Sequence, residues 1–249
     1  MEGADLKDQV NTAIVTGGSN GIGAAICGAI LANGSKVFNL DRQVGEQTHS
    51  RLHTREVDLL DPAATREVVA EIAASNQVTQ FIHNAGMIRP ALLQDVDPAD
   101  MQDLAQLHLS APLIILQAML PTLRASGSGR VVLISSRAAV GMKTRSAYAA
   151  TKAGMIALGR TWALELARDG VTVNIIAPGP VHGTPLFHQS IAAGSVQEAE
   201  LAAAIPVGRL GTPSDVANAA MFFLDRKSGF VTGQVLYVCG GASVGSPTF

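Results

Sequence analysis

Charge is sparse in this sequence. Asp, Glu, Lys and Arg make up 15 % of the 249 residues, against about a quarter in an average protein. So low a fraction argues against a disordered chain and against a coiled coil. The net charge of −2 leaves no basic footprint for nucleic acid or an anionic membrane. Cysteine is nearly absent. Cys27 and Cys239 cannot build a disulfide framework, and a reducing cytoplasm is the expected compartment. No uninterrupted run of about 18 apolar residues occurs, so no membrane span is expected. The longest candidate, Leu107 to Leu120, carries His108, Ser110, Pro112 and Gln117. Met1-Glu2-Gly3-Ala4-Asp5 is acidic with no short apolar block after it, unlike a secretory signal. No linker, repeat or low-complexity stretch interrupts the chain, which predicts one domain over 1–249. Apolar side chains, by contrast, reach 47 %, ample for a core of several layers.

Strand-like and helix-like segments alternate throughout. Thr12 to Thr16 is a β-branched strand, followed by a glycine-rich turn and a helix from Ile22 to Ala32. Lys36 to Leu40 and Leu52 to Val57 read as strands. Asp61-Pro62 is an N-cap with proline at the first helical position, opening a helix to about Ser75. Gln80 to His83 is a short strand. Asp97-Pro98 repeats the helix-start signal, and that helix is expected to run to about Arg124. Arg130 to Ser135 is a strand, Ser146 to Arg168 a helix, Val171 to Ile176 a strand. Pro213 opens a helix ending near Leu224, and Val235 to Val238 is a last strand. Strands separated by helices predict an α/β fold, a doubly wound parallel sheet with helices on both faces. Gly183 to Pro206 breaks this rhythm and reads as a mobile, partly helical insertion.

Thr16-Gly-Gly-Ser-Asn-Gly-Ile-Gly23 follows the first strand and opens the first helix. Gly17 permits a tight turn, and Gly21 and Gly23 let backbone approach a pyrophosphate. The helix N-terminus then offers free N–H groups and partial positive charge. Asp41 follows 18 residues after Gly23. A carboxylate there can accept hydrogen bonds from adenosine ribose hydroxyls and repels a 2′-phosphate, which predicts NAD over NADP. Arg42 works against that preference, since it can reach a 2′-phosphate.

Tyr148-Ala-Ala-Thr-Lys152 lies in a predicted helix, where i, i+4 spacing puts both side chains on one face. Ser136 ends a strand 12 residues earlier. Transfer of a hydride to a carbonyl needs a proton donor for the developing alkoxide. A phenol with an ordinary pKa of about 10 needs a nearby cation to serve as the base in reverse. Lys152 can supply that field, and Ser136 can hold the substrate oxygen.

The glycine turn, Asn84-Ala85-Gly86, Ser136, Tyr148-x-x-x-Lys152, Pro178-Gly179, Pro206 to Gly211 and Thr232-Gly-Gln234 together resemble the short-chain dehydrogenase/reductase family, in its Tyr/Lys branch of roughly 250 residues. The likeness covers essentially the whole chain. It implies a Rossmann-like fold, with Tyr148 as acid/base, Lys152 binding the nicotinamide ribose and tuning Tyr148, and Ser136 orienting the substrate. It implies dinucleotide contacts from Gly17, Ser19, Asn20, Gly21, Ile22 and Gly23 of the turn and from Asp41 and Arg42. Asp58 and Leu59 fall at the adenine. Asn84, Ala85 and Gly86 fall at the cofactor's centre, and the backbone of Pro178, Gly179 and Val181 at the nicotinamide amide. The expected partners are a small alcohol or ketone and further copies of the chain, as a homotetramer. Nucleic acid, membrane and metal are not expected.

Several positions depart from the family pattern. His108 stands where the family carries an Asn that holds a water leading to Lys, so a proton relay through His108 is expected. The Ser-to-Tyr spacing is 12 for Ser136 and 13 for Ser135, and Ser136 is taken as catalytic. His83 precedes Asn84 where Asn is usual, and Cys239 replaces a common Asp and is read as a small buried apolar group. Met87-Ile88, Arg137 to Met142 and Pro185 to Ile191 are expected to line the substrate pocket. Arg89, Arg137, Lys143 and Arg145 lie near it, their default reading being solvent exposure. His182 and His188 are further lining candidates outside any metal-ligand pattern. The leading expectation is an NAD(H)-dependent alcohol/ketone oxidoreductase. The alternatives are an NADPH-dependent 3-oxoacyl thioester reductase and a non-catalytic dinucleotide-binding protein on the same fold.

Overall fold

Strands buried on both faces must lie in the middle of a layered structure, and the burial follows that rule. In a computed structural model describing residues 11–244, β1 (Thr12–Thr16) and β5 (Arg130–Ile134) are buried at every position. The acidic Met1 to Asp5 lies outside the described residues. With β2 (Lys36–Asp41), β3 (Leu52–Glu56), β4 (Val78–His83), β6 (Thr172–Pro178) and β7 (Val235–Val238), these strands form one seven-stranded sheet, ordered β3-β2-β1-β4-β5-β6-β7. Every neighbouring pair is parallel. β4 starts two residues before its expected position and β6 runs two residues past it.

Parallel neighbours need crossovers, supplied by α1 (Gly21–Ala32), α2 (Pro62–Ser75), α3 (Pro98–Ala105), α4 (Ala111–Ser126), α5 (Ser146–Leu166) and α8 (Pro213–Leu224). Alternate strand residues feed two cores. Ile14, Phe81, Val131 and Leu133 face Ile72, Ile115, Met119 and Met155 of α2, α4 and α5. Val15, Ile82, Val132 and Ile134 face Ile26, Ile30, Val216 and Phe223 of α1 and α8. The caps are local. The Asp61 carboxylate accepts the N–H groups of Ala63 and Ala64 at 2.8 and 3.0 Å, and Asp97 accepts that of Ala99 at 2.8 Å.

The helix expected from Asp97 to Arg124 is helical from Pro98 to Ser126 but not uniformly so. Gln106 to Ser110 form a π-type turn between α3 and α4. A π-turn is one extra residue in the helix, a local event that apolar spacing does not reveal. By length and composition these 29 residues are apolar enough to cross a membrane. In the fold, Leu104, Ile115, Met119 and Leu123 are buried in the protein. The insertion at 183–206 holds two short helices, α6 (Pro185–His188) and α7 (Val196–Ala204).

The chain passes from β1 outward to β3 and then returns to β4 on the other side of β1. Loops after β1 and β4 therefore part at their carboxyl ends, where such sheets bind ligands.

Candidate active site

A cleft of about 630 Å³ opens along this edge of the sheet. Its dinucleotide end is built by backbone geometry. Gly17 has φ +67°, and a Cβ on Gly23 would overlap the Gly17 carbonyl oxygen, so the turn presses helix α1 onto the strand end only because both lack side chains. The first hydrogen bond of α1 runs from the Ala24 N–H to the Asn20 carbonyl at 3.1 Å. The N–H groups of Gly21, Ile22 and Gly23 precede it and are left for an anion, as a pyrophosphate requires.

The Ser19 N–H donates to Asp41 Oδ2 at 3.0 Å and the Gly18 N–H to Asn39 Oδ1 at 2.7 Å, so β2 braces the turn. Asp41 and Arg42 line the cleft, as do Asp58 and Leu59. Ser19 and Gly23 do not line it. Ser19 Oγ donates to the Gln43 carbonyl at 2.6 Å, so its part is to shape the turn. Thr16 is a residue sequence reasoning left out of the site. Its Oγ1 accepts the N–H groups of Asn84 and Ala85 at 3.0 and 3.1 Å. Asn84 Nδ2 donates to the Gly17 carbonyl at 2.8 Å. One hydroxyl thus sets the opening between β1 and β4. Its one sequence signal is its place at the head of the glycine turn.

Ser136, Tyr148 and Lys152 converge on the same cleft. The two serines after β5 point to different places. Both border the cleft, but Ser135 is buried with Oγ donating to the Lys152 carbonyl at 2.8 Å, whereas Ser136 is the one that hydrogen-bonds Tyr148. Burial pushes the Tyr148 phenol pKa up, against the downward pull of the Ser136 hydroxyl and the Arg145 guanidinium. Lys152 Nζ donates to the Ile134 carbonyl at 2.8 Å and lies 5.7 Å from the Tyr148 ring centroid. Burial pulls Lys152 down to about 7. The expected lowering of the phenol by Lys152 is therefore not what the unliganded geometry gives, because desolvation dominates both groups.

His108 lies beside the cleft rather than in its lining. It is fully buried behind the cleft wall in the π-turn. Its Nδ1 lies 2.8 Å from Thr151 Oγ1, and its Nε2 accepts the Met87 N–H at 3.3 Å. Both nitrogens are thus engaged in hydrogen bonds within the protein. The ring ties the Met87 loop to α5. Burial, Lys152 and His83 hold its pKa well below 6.5. His83 is also buried. Thr16 Oγ1, already accepting two N–H groups, donates to His83 Nδ1 at 3.0 Å, which puts the ring proton on Nε2. Burial and Lys152 push His83 down to about 3.

Cys239 is buried, as expected, but not without polar contacts. Its Sγ lies 3.1 Å from Ser243 Oγ, and although burial raises the thiol's pKa, hydrogen bonds from Ser243 and the 241–242 backbone outweigh burial and lower it. Among the basic residues, Arg89 pairs with Asp100 at 3.2 Å away from the cleft lining. Arg137 and Arg145 line the cleft, donating to the Ala242 carbonyl and Ser190 Oγ. His182 and His188 lie outside the lining. Pro178, Gly179 and Val181 border it, and the Gly179 N–H donates to the Val238 carbonyl at 2.9 Å.

Comparison with known proteins agrees with this layout. Residues 17–243 match a family model described as enoyl-(acyl carrier protein) reductase. The chain is 33% identical over 246 residues to the BbsD subunit of a hydroxy(phenyl)methylsuccinyl-CoA dehydrogenase from Thauera aromatica, covering 95% of this chain and 98% of that one. It is 31% identical over 237 residues to the 3-oxoacyl-(acyl-carrier-protein) reductase FabG of Escherichia coli, covering 92% and 96%. Among solved structures, aldohexose dehydrogenase from Thermoplasma acidophilum superposes with a TM-score of 0.90 at 26% identity over 97% of both chains. A protein assigned as an NAD(P)-dependent gluconate 5-dehydrogenase from Beutenbergia cavernae, with NADP bound at low occupancy, gives 0.87 at 33% identity over 93% and 96%. The chain belongs to the short-chain dehydrogenase/reductase family and is an oxidoreductase of CH–OH groups built to bind a nicotinamide dinucleotide.

Proposed function

We propose that the protein interconverts a secondary alcohol and a ketone with NAD(H). The observation that carries this reading is the convergence of Ser136, Tyr148 and Lys152 on a cleft whose other end is the glycine cradle. When bound, the dinucleotide gives or takes the hydride. The chain's own groups do the rest. Ser136 Oγ, held by the Ala138 N–H at 3.1 Å, orients the substrate oxygen. Tyr148, with its pKa raised by burial, keeps its proton at neutral pH and can hand it to a developing alkoxide. In the oxidation direction the phenolate is the base, and Lys152, 5.7 Å from the ring centroid, stabilises it whenever the lysine carries a proton. With the dinucleotide bound, Lys152 would meet the ribose hydroxyls, Asn84 the cofactor's central part, and the Pro178 to Val181 backbone the amide end.

Tyr148→Phe keeps the ring and removes the proton carrier. It should lower kcat by roughly 10²- to 10⁴-fold and leave dinucleotide affinity, read by fluorescence titration, unchanged. Near-wild-type turnover would overturn the mechanism. NAD(H) is proposed because Asp41 lines the cleft where a 2′-phosphate would come. Its kcat/KM should exceed that with NADP(H) by at least about tenfold, a difference of about 1.4 kcal/mol. Asp41→Ser should narrow that gap, since Arg42 is then free to meet the phosphate. A wild type that prefers NADP(H) would refute the reading of Asp41.

A second reading, an NADPH-dependent 3-oxoacyl thioester reductase, is favoured by Arg137 and Arg145 at the cleft and by relatives named for acyl-carrier and CoA thioesters. Assaying a simple ketone beside a 3-oxoacyl thioester with both cofactors separates the two. We further infer a cytoplasmic homotetramer, on the two free thiols and on the sheet edge discussed below.

A further inference from the structure

The insertion at 183–206 folds around three side chains that belong to no part of the cleft. His182 follows β6, His188 ends α6, and Glu198 lies in the first turn of α7. His182 Nδ1 stands 2.7 Å from Glu198 Oε1. One ligand atom from each of the three residues falls within 4.8 Å of the other two. The two imidazoles meet edge to face with centroids 5.4 Å apart. Spacings of six and ten residues match no regular helix or strand face, so the grouping is a product of the fold.

The supporting contacts resemble those that orient metal ligands. His188 Nδ1 lies 3.1 Å from the Ile191 carbonyl, which can only accept, so the proton is on Nδ1 and the lone pair on Nε2. That lone pair meets only a long 3.3 Å contact from the Gly183 N–H. Glu198 is buried, and its Oε2 accepts the Gly194 N–H at 2.6 Å, which fixes the carboxylate and leaves Oε1 toward the histidines. Histidines held by a backbone carbonyl and carboxylates held by an N–H are the usual outer supports of a metal site.

We propose that His182, His188 and Glu198 bind a divalent transition-metal ion, Zn²⁺ by ligand chemistry, that clasps the insertion onto the end of β6. Two imidazoles and one carboxylate suit zinc, with water as the fourth ligand. Calcium and magnesium demand oxygen shells that this trio does not supply. Metal–ligand bonds of about 2.0–2.2 Å imply ligand atoms roughly 3.3 Å apart in a tetrahedron. The ion takes the place of the His182 Nδ1 proton, which moves to Nε2, the His182–Glu198 contact opens by a fraction of an ångström, and the third ligand closes by at most about 1.5 Å. Between the clasped residues run Thr184, Leu186, Phe187 and Ile191, which line the cleft. The ion would therefore hold the substrate-side wall.

The test uses the full chain stripped with a chelator and then titrated with Zn²⁺ by calorimetry and with Co²⁺ by visible absorption. The expected result is one ion per chain, a tetrahedral Co²⁺ spectrum with no thiolate charge-transfer band, and a melting temperature that rises with Zn²⁺. His188→Gln and Glu198→Gln should each weaken Zn²⁺ binding by at least about tenfold. His182→Gln, at an exposed side chain, gives a third variant whose folding is not at risk and should weaken it likewise. No stoichiometric binding, an affinity unchanged in the variants, or a thiolate band that places the metal on cysteine would overturn the site.

Discussion

A lysine buried without an anionic partner stabilises no fold by its charge. Lys152 gives up hydration to put Nζ on the Ile134 carbonyl. The folded protein holds its pKa at about 7, and the unfolded chain at 10.5. Between those values the unfolded chain binds the extra proton, so stability rises with pH, by about 1.4 kcal/mol per pH unit for a full proton. Lys152→Met should remove that rise, read as the difference between wild-type and variant urea midpoints from pH 7 to 10. The histidines act at lower pH. His83 at about 3 and His108 well below 6.5 stay neutral in the fold, whereas in the unfolded chain both titrate near 6.5. Below that pH the unfolded chain takes up protons the folded one refuses, and stability falls with acid by about 1.4 kcal/mol per histidine per pH unit. His108→Asn should remove one proton's worth of that slope. An unchanged slope would mean His108 protonates in the fold. Neither histidine's state is legible in the sequence, because it depends on Thr16, Thr151 and Met87 arriving from other elements.

At the scale of elements, much was legible because its causes are local. Asp61-Pro62, Asp97-Pro98 and Pro213 open helices where their caps say they should, and the capping box of Thr212 with Asp215 completes the last of them. The glycine turn was legible for the same reason. Gly23→Ala should show its tightness, since the new methyl meets the Gly17 carbonyl. Overpacking of about 1–3 kcal/mol predicts a melting temperature lower by roughly 2–12 °C, with dinucleotide binding lost in the fluorescence titration. A variant that binds as the wild type does would show that the turn can yield. The π-turn at 106–110, the tie of Ser135 Oγ to the Lys152 carbonyl and the meeting of His182 with Glu198 were not legible. Each is decided by tertiary neighbours, and nothing in the adjacent residues announces it.

The sheet ends at β7, an edge strand whose outer side has no partner among the described residues. Leu236 on that strand is 38% exposed, and nearby in sequence Phe222 and Phe230 are also exposed. An apolar edge of this kind is an association surface unless covered. Light scattering should report a homotetramer, and Leu236→Lys should reduce the mass. A stable wild-type particle of 25.7 kDa would refute the assembly. The parallel topology also governs time. No strand forms a hairpin with the next: Thr12 pairs with Val78, 66 residues on, and Ile175 with Val235, 60 residues on. Loop closure must precede nearly every gain in the sheet, which places refolding among slow topologies rather than with helical bundles. On a ribosome adding about 5–20 residues per second, β1 waits roughly 3–13 s for β4 to be made. Through that interval the future centre of the sheet, Thr12–Thr16, has a neighbour only in β2, and its other edge lies open to water.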